Sequence, residues 1–203
     1  MLRKDNFYLL ITISVIVIFI FSLTTAYGLS EQFKGKIYNP GKLKAIDSVT
    51  ELKIGDKAPD FTLPSLSGEK ISLGQYHGKK NVLISFVPAA WTPVCSDQWP
   101  GYNIAKDFFD KNDAILIGIT VDNIPTLHAW TNEMGGLWFP VLSDFWAHGA
   151  VAKQYGVLRS DGVSERAIFV IDKKGIIRYI DIHDINTRPK LEILVQELEK
   201  LEK

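Results

Sequence analysis

Residues 81–95 read "NVLISFVPAAWTPVC". The first seven, Asn81 to Val87, form a continuous apolar run of strand length, the pattern of a strand covered on both faces. Thr92 and Pro93 then signal a helix start, because threonine is a favoured N-cap and proline suits the first helical position. A strand, a short loop and a helix therefore follow in that order. Cys95, the only cysteine of the chain, falls in the first turn of the helix.

Two other runs have the character of the first: "AILIGIT" (Ala114 to Thr120) and "AIFVID" (Ala167 to Asp172). Between the runs lie helical patterns at about residues 93–110, 124–134 and 146–155. A last run, "IIRYIDI", follows a hairpin signal at Lys173-Lys174-Gly175, and after Pro189 the leucines of "KLEILVQELEKLEK" recur at helical spacing. "FTLPSLSGEKISL", Phe61 to Leu73, reads as an opening hairpin on the edge of the sheet. Strands alternating with helices and closing on a hairpin predict an α/β domain of three layers with a central mixed sheet.

A chain of 203 residues, 46% of them hydrophobic, buries the core of one domain but hardly of two. Lysine plus arginine balance aspartate plus glutamate at 23 each, so no long-range field draws in nucleic acid. A single cysteine allows no internal disulfide, and His77, His128, His148 and His183 lack the spacing of a metal site. No metal is expected.

The first segment differs in composition. "FYLLITISVIVIFIFSLTTAYG", Phe7 to Gly28, follows Arg3 and Lys4 and carries no charge. As a helix it is roughly 30 Å long, enough to cross a bilayer. It reads as an uncleaved membrane anchor or as a secretory signal with a cleavage site at Thr24-Thr25-Ala26; its length beyond the ~7–15 apolar residues usual for a signal favours the anchor. The basic residues before it favour the folded domain outside the cytoplasm, although Lys34, Lys36, Lys42 and Lys44 near its far end weigh the other way; a cleaved segment would leave the domain secreted. The expected organisation is an anchor or signal segment at 1–28, a polar, lysine-rich linker at 29–51 and a folded domain at 52–203.

The position of Cys95 suggests chemistry. Unpaired amides and the positive end of the helix dipole favour a thiolate in the first turn of a helix, and the thiolate is the reactive form of cysteine. Thr92 presents a hydroxyl one helical turn from the sulfur, and Pro88 at the strand end can shield it from water. The loop lacks a cation. The candidate is Arg166 at the start of the "AIFVID" strand, which reaches the site only if the two strands are suitably arranged.

Pro88, Thr92 and Cys95 also reproduce the Pro-x-x-x-Thr-x-x-Cys signature of the peroxiredoxins, and the chain resembles this alkyl hydroperoxide reductase and thiol-specific antioxidant family. "GDKAPDFTLPSLSGEKISL", "DNIPTLHAW", "FPVLSD", "VAKQYGVL" and "RAIFVIDKKGIIRY" are similar to family stretches in order and spacing. The resemblance implies a thioredoxin-like α/β/α sandwich, with Cys95 as the peroxidatic cysteine and Arg166 as the active-site arginine. Two departures stand out. Gln98 sits where many members carry glutamate, although the branch resembling bacterioferritin-comigratory proteins often has glutamine. Pro100 sits where that branch often has a second, resolving cysteine. The implied enzyme is thus of the one-cysteine type.

Such an enzyme reduces hydrogen peroxide or organic hydroperoxides and is recycled by an external thiol, either small or carried by a thioredoxin-like protein. It needs no metal, flavin or nucleotide cofactor, and a homodimer is allowed. Two other functions compete with it. A membrane-tethered thiol–disulfide oxidoreductase of the same fold needs Cys-x-x-Cys, and Thr92 occupies the first of those positions. A non-catalytic peroxide sensor or redox-interaction module shares the first chemical step and stays open. Trp91, Trp130, Trp138, Phe145 and Trp146 read either as core packing or as a surface for lipid hydroperoxides.

Overall fold

The computed structural model describes residues 33–202. The segment Phe7 to Gly28 lies outside them; among the described residues no helix is long and apolar enough to cross a membrane. The strands are β1 (Thr62–Pro64), β2 (Lys70–Ser72), β3 (Asn81–Phe86), β4 (Ala114–Thr120), β5 (Val141–Ser143), β6 (Arg166–Ile171) and β7 (Ile177–His183). The helices are α1 (Pro93–Gly101), α2 (Lys106–Lys111), α3 (Ile124–Glu133), α4 (Ala150–Gln154) and α5 (Leu191–Glu199).

The central sheet has the order β5-β4-β3-β6-β7. β3, β4 and β5 run parallel, whereas β6 is antiparallel to β3 and β7 to β6. Side chains alternate along each strand, so each strand feeds two cores. Leu83 and Val87 of the β3 stretch and Ile168 and Val170 of β6 join Trp99, Phe109, Leu127, Trp130 and Leu198 on one face. Val82, Ile84, Phe86, Ala167, Phe169 and Ile171 meet Leu63, Leu73, Val151 and Tyr155 on the other. The result is the expected thioredoxin-like α/β domain with a mixed sheet.

Several elements differ from the sequence reading. The helix expected over 93–110 divides into α1, a 3₁₀ turn at Tyr102–Ala105 and α2, because Pro100 has no N–H to donate within the helix and is followed by glycine. The helix expected from residue 146 begins only at Ala150. Its N-cap, Gly149, is left-handed at φ 72°, and the buried Asp144 carboxylate accepts the amides of Val151 and Ala152 at 3.1 and 2.8 Å. Burial pushes the Asp144 carboxyl up, against the lowering effect of those two amides. The opening hairpin is a separate two-stranded sheet, not an edge of the central one. Its link to the edge strand β5 is a single bridge, Ser65 to Leu142. Pro64, which lacks a donor, ends the short strand.

The linker is more than a tether over its described part. Phe33 is buried at 1% exposure, and the Thr50 hydroxyl donates to the Tyr155 carbonyl at 2.8 Å. Gly156, at φ 68°, lets this stretch pass: a Cβ there would lie 2.6 Å from the Thr50 Cα.

Candidate active site

Antiparallel pairing solves the problem of the missing cation. Ser85 faces Ile168 and Phe86 faces Ala167, so the first residue of β6, Arg166, lies beside the carboxyl end of β3, where the chain turns toward α1. Alternation sends the Arg166 side chain to the same face as Ile168 and Val170, the face that carries Cys95.

The two side chains meet. Arg166 Nη2 donates to Cys95 Sγ at 3.4 Å. Nη1 donates to Gln98 Oε1, while Nε and Nη2 both donate to the Ile185 carbonyl at 3.3 and 3.1 Å. Cys95 is 0% exposed and Arg166 1%. These four bonds reach no carboxylate. A buried guanidinium requires a compensating charge or strong acceptors, and among the described residues the one ionisable group it hydrogen-bonds is the thiol. A thiolate there would be its counterion, at the positive end of α1.

Gln98, one turn beyond Cys95 on α1, is fixed by its own network. Its Nε2 donates to Tyr102 Oη at 2.8 Å and to Ser85 Oγ at 3.2 Å. With both amide hydrogens engaged, Oε1 is the atom left for Arg166. Ser85 also accepts from Trp99 Nε1 at 3.2 Å. Burial pushes the Tyr102 hydroxyl up to about 12, although Gln98 and Ser85 pull the other way, so it remains neutral. Gln98 thus holds the guanidinium without neutralising it. In the sequence Gln98 stands out only as a departure from the family; its spacing of three residues from Cys95 on a helix is the signal that points to the site. Ser85, Tyr102 and the Ile185 carbonyl gave no local signal.

The loop between β3 and α1 is pinned at several points. The Val87 carbonyl accepts from Ser164 Oγ at 2.9 Å, and the Ala90 amide donates to Asp122 Oδ2 at 2.8 Å. Pro88 is buried at the end of the strand stretch. Thr92 is the N-cap, but it makes no side-chain cap bond; its hydroxyl donates to the Ala89 carbonyl at 2.9 Å. The amides of the first helical turn are therefore not closed by it. Trp91 takes φ 61°, a left-handed conformation that costs a non-glycine residue about 1–2 kcal/mol. Phe33 packs edge-on against its ring at 6.0 Å, and the Tyr38 amide donates to its carbonyl at 2.9 Å.

Most of the aromatic set is structural. Trp130 is fully buried and donates to Ser96 Oγ at 2.9 Å, and Trp138 donates to the Tyr102 carbonyl at 3.1 Å. Phe145 and Trp146 are exposed. A cavity of about 640 Å³ lined by Asn81, Asp172, Lys173, Lys174 and Arg178 lies at the opposite end of β3. It does not include the cysteine, whose surroundings are close-packed.

Fold and site together define a thioredoxin-like domain in which a buried thiol meets the buried guanidinium of Arg166. The AhpC/TSA family model matches residues 54–180, and the chain belongs to that family. It is 39% identical over 132 residues to alkyl hydroperoxide reductase E of Mycobacterium bovis, covering 64% of this chain and 86% of that protein. It is 38% identical over 143 residues to peroxiredoxin-1 of Gallus gallus, covering 65% of this chain and 70% of that protein. Among solved structures, the reduced 2-Cys peroxiredoxin of Plasmodium vivax superposes with a TM-score of 0.69 at 27% identity, covering 74% and 82% of the two chains.

Proposed function

We propose that this protein is a thiol-dependent peroxidase of the one-cysteine type, in which Cys95 reduces hydrogen peroxide or an organic hydroperoxide. The observation that carries this reading is the Arg166 guanidinium on Cys95 Sγ at 3.4 Å, in a buried site without a carboxylate among its partners. Family membership supports the activity class.

In the first step the Cys95 thiolate attacks the terminal oxygen of the hydroperoxide. The S–O bond forms as the O–O bond breaks, sulfur is oxidised by two electrons to the sulfenic acid, and the leaving oxygen takes a proton and departs as water or an alcohol. Thr92, already donating to Ala89, offers oxygen lone pairs to the peroxide O–H. Arg166 and the first-turn amides face the oxygen onto which charge moves. Pro88, buried in the loop after β3, shields the sulfur from water. An external thiol then condenses with the sulfenic acid, releasing water and leaving a mixed disulfide, and a second thiol restores Cys95. The partner is a small thiol or a thioredoxin-like protein, since this sequence holds no second cysteine.

The test is Cys95→Ser in the full chain, with peroxide decay followed by stopped flow in the presence of thiol. The variant should fall below a hundredth of the parent rate, a loss of about 2.7 kcal/mol in transition-state stabilisation; higher residual activity would remove Cys95 as the nucleophile. Turnover separates enzyme from sensor: many peroxides consumed per protein support the peroxidase, and one per protein supports the sensor. For localisation, the reading is an anchor at residues 1–28 with the domain outside the cytoplasm. Protease added to intact spheroplasts should cut the domain, and protection until lysis would reverse that orientation.

A further inference from the structure

The family match begins at residue 54, so the stretch from Phe33 to Lys53 precedes the family domain, yet it touches both halves of the site. On the cysteine side, Phe33 and the Tyr38 amide hold Trp91, as described above. On the arginine side, the Ala45 carbonyl accepts the Ile185 amide at 3.0 Å, and the carbonyl of that same Ile185 accepts two bonds from Arg166. Asn186 locks the register: its Oδ1 accepts the Leu43 amide at 2.9 Å, and its Nδ2 donates to the Leu43 carbonyl at 3.0 Å.

Glu165, the residue before Arg166, adds a third fixing point. It is fully buried, and its Oε1 accepts the amides of Asp47 and Ser48 at 2.5 and 2.8 Å. Its Oε2 pairs with Arg159 at 2.7 Å, and Arg159 Nη2 donates to the Lys44 carbonyl at 3.1 Å. The charge of Glu165 is thus spent on Arg159 and on the amides of this segment, which leaves its neighbour Arg166 free to face the thiol.

We propose that residues 38–48 are a positioning strap, which sets the placement of the Arg166 guanidinium against Cys95 through the Ile185 peptide, with Asn186 as the positioning residue that holds the strap in register. The proposal rests on reading Cys95 and Arg166 as a reactive pair. Displacing the strap lets the Ile185 carbonyl move and Arg166 with it, and the sulfur then loses its charged neighbour. Two charged groups nearby are engaged elsewhere: Arg188 pairs with Asp97 at 3.0 Å, and Glu165 with Arg159.

The experiment measures iodoacetamide alkylation of Cys95 across pH, alongside peroxide consumption, in the full chain and in Asn186→Ala. Alkylation of the variant near neutral pH should slow about threefold or more and regain the parent rate in alkali, because alkylation follows the thiolate fraction. Leu73→Ala, a core deletion on the opposite face of the sheet, controls for lost stability and should leave the profile unchanged. An Asn186→Ala profile that superimposes on the parent, or an equal change in Leu73→Ala, overturns the strap. Should Asn186→Ala not fold, Asn186→Ser, too short to span to Leu43, carries the same comparison. Alkylation needs no peroxidase activity. A shifted profile in proteins that consume no peroxide would therefore sustain the strap while removing the proposed function.

Discussion

Around Cys95 the deciding quantity is charge, because sulfur and guanidinium meet where water is excluded. Arg166 binds three neighbours at once through a planar fork, a geometry that lysine cannot reproduce. Arg166→Ala should slow the peroxide step tenfold or more, about 1.4 kcal/mol, even at a pH where the thiol of both proteins is ionised. Equal single-turnover rates under that condition would make Arg166 a packing residue only. Gln98 belongs to the same scale: a neutral amide, oriented by Ser85 and Tyr102, holds the arginine and leaves its charge for the sulfur.

Among the elements, α1 depends on how its tryptophan seats on the sheet. Trp99 is fully buried, and its indole lies over Gly118 of β4, where an added Cβ would come within 2.7 Å of Cζ2 and 3.0 Å of Cη2. An indole is rigid and cannot swing aside without breaking its bond to Ser85. Gly118→Ala should therefore destabilise the domain by about 1–3 kcal/mol through overpacking, read as a lower denaturant midpoint at constant slope. An unchanged midpoint would mean that α1 shifts freely on the sheet. The strap has its own surface latch: Lys44 at 2.6 Å, then Ser160, hold the Asp47 carboxyl well below the usual carboxylate range.

For the whole molecule, the proposed one-cysteine chemistry leaves a sulfenic acid at Cys95 without an internal partner, because the sequence carries one cysteine. Repeated peroxide doses without an added thiol should carry Cys95 on to sulfinic acid, which is not generally reversible. Mass spectrometry should find that product and no intramolecular disulfide, and stable sulfenic acid after many doses would contradict it. Alkali tests the buried network. The unfolded chain releases tyrosine protons near pH 10, whereas burial holds Tyr102 to about 12 and raises Tyr155 as well. A raised folded value for an acid that ionises to an anion favours the unfolded state once pH passes the unfolded value. Stability should therefore fall from about pH 10 upward, and Tyr102→Phe should lessen the fall in Tm between pH 9 and 11.

Local chemistry was legible in the sequence. The apolar run at Asn81–Val87, the cap pair Thr92-Pro93 and the spacing of Pro88, Thr92 and Cys95 depend on near neighbours, and they determined β3, the start of α1 and the place of the thiol. The strand order, and with it the approach of Arg166, depended on a pairing between residues 85 and 168 that no local pattern encodes. By composition the strap is a linker, because it is polar and aperiodic. Its order comes from backbone groups bonded to Ile185, Asn186 and Glu165, contacts more than a hundred residues away that depend on main-chain amides and carbonyls, which every sequence carries alike. Only the folded chain decides which of those groups meet.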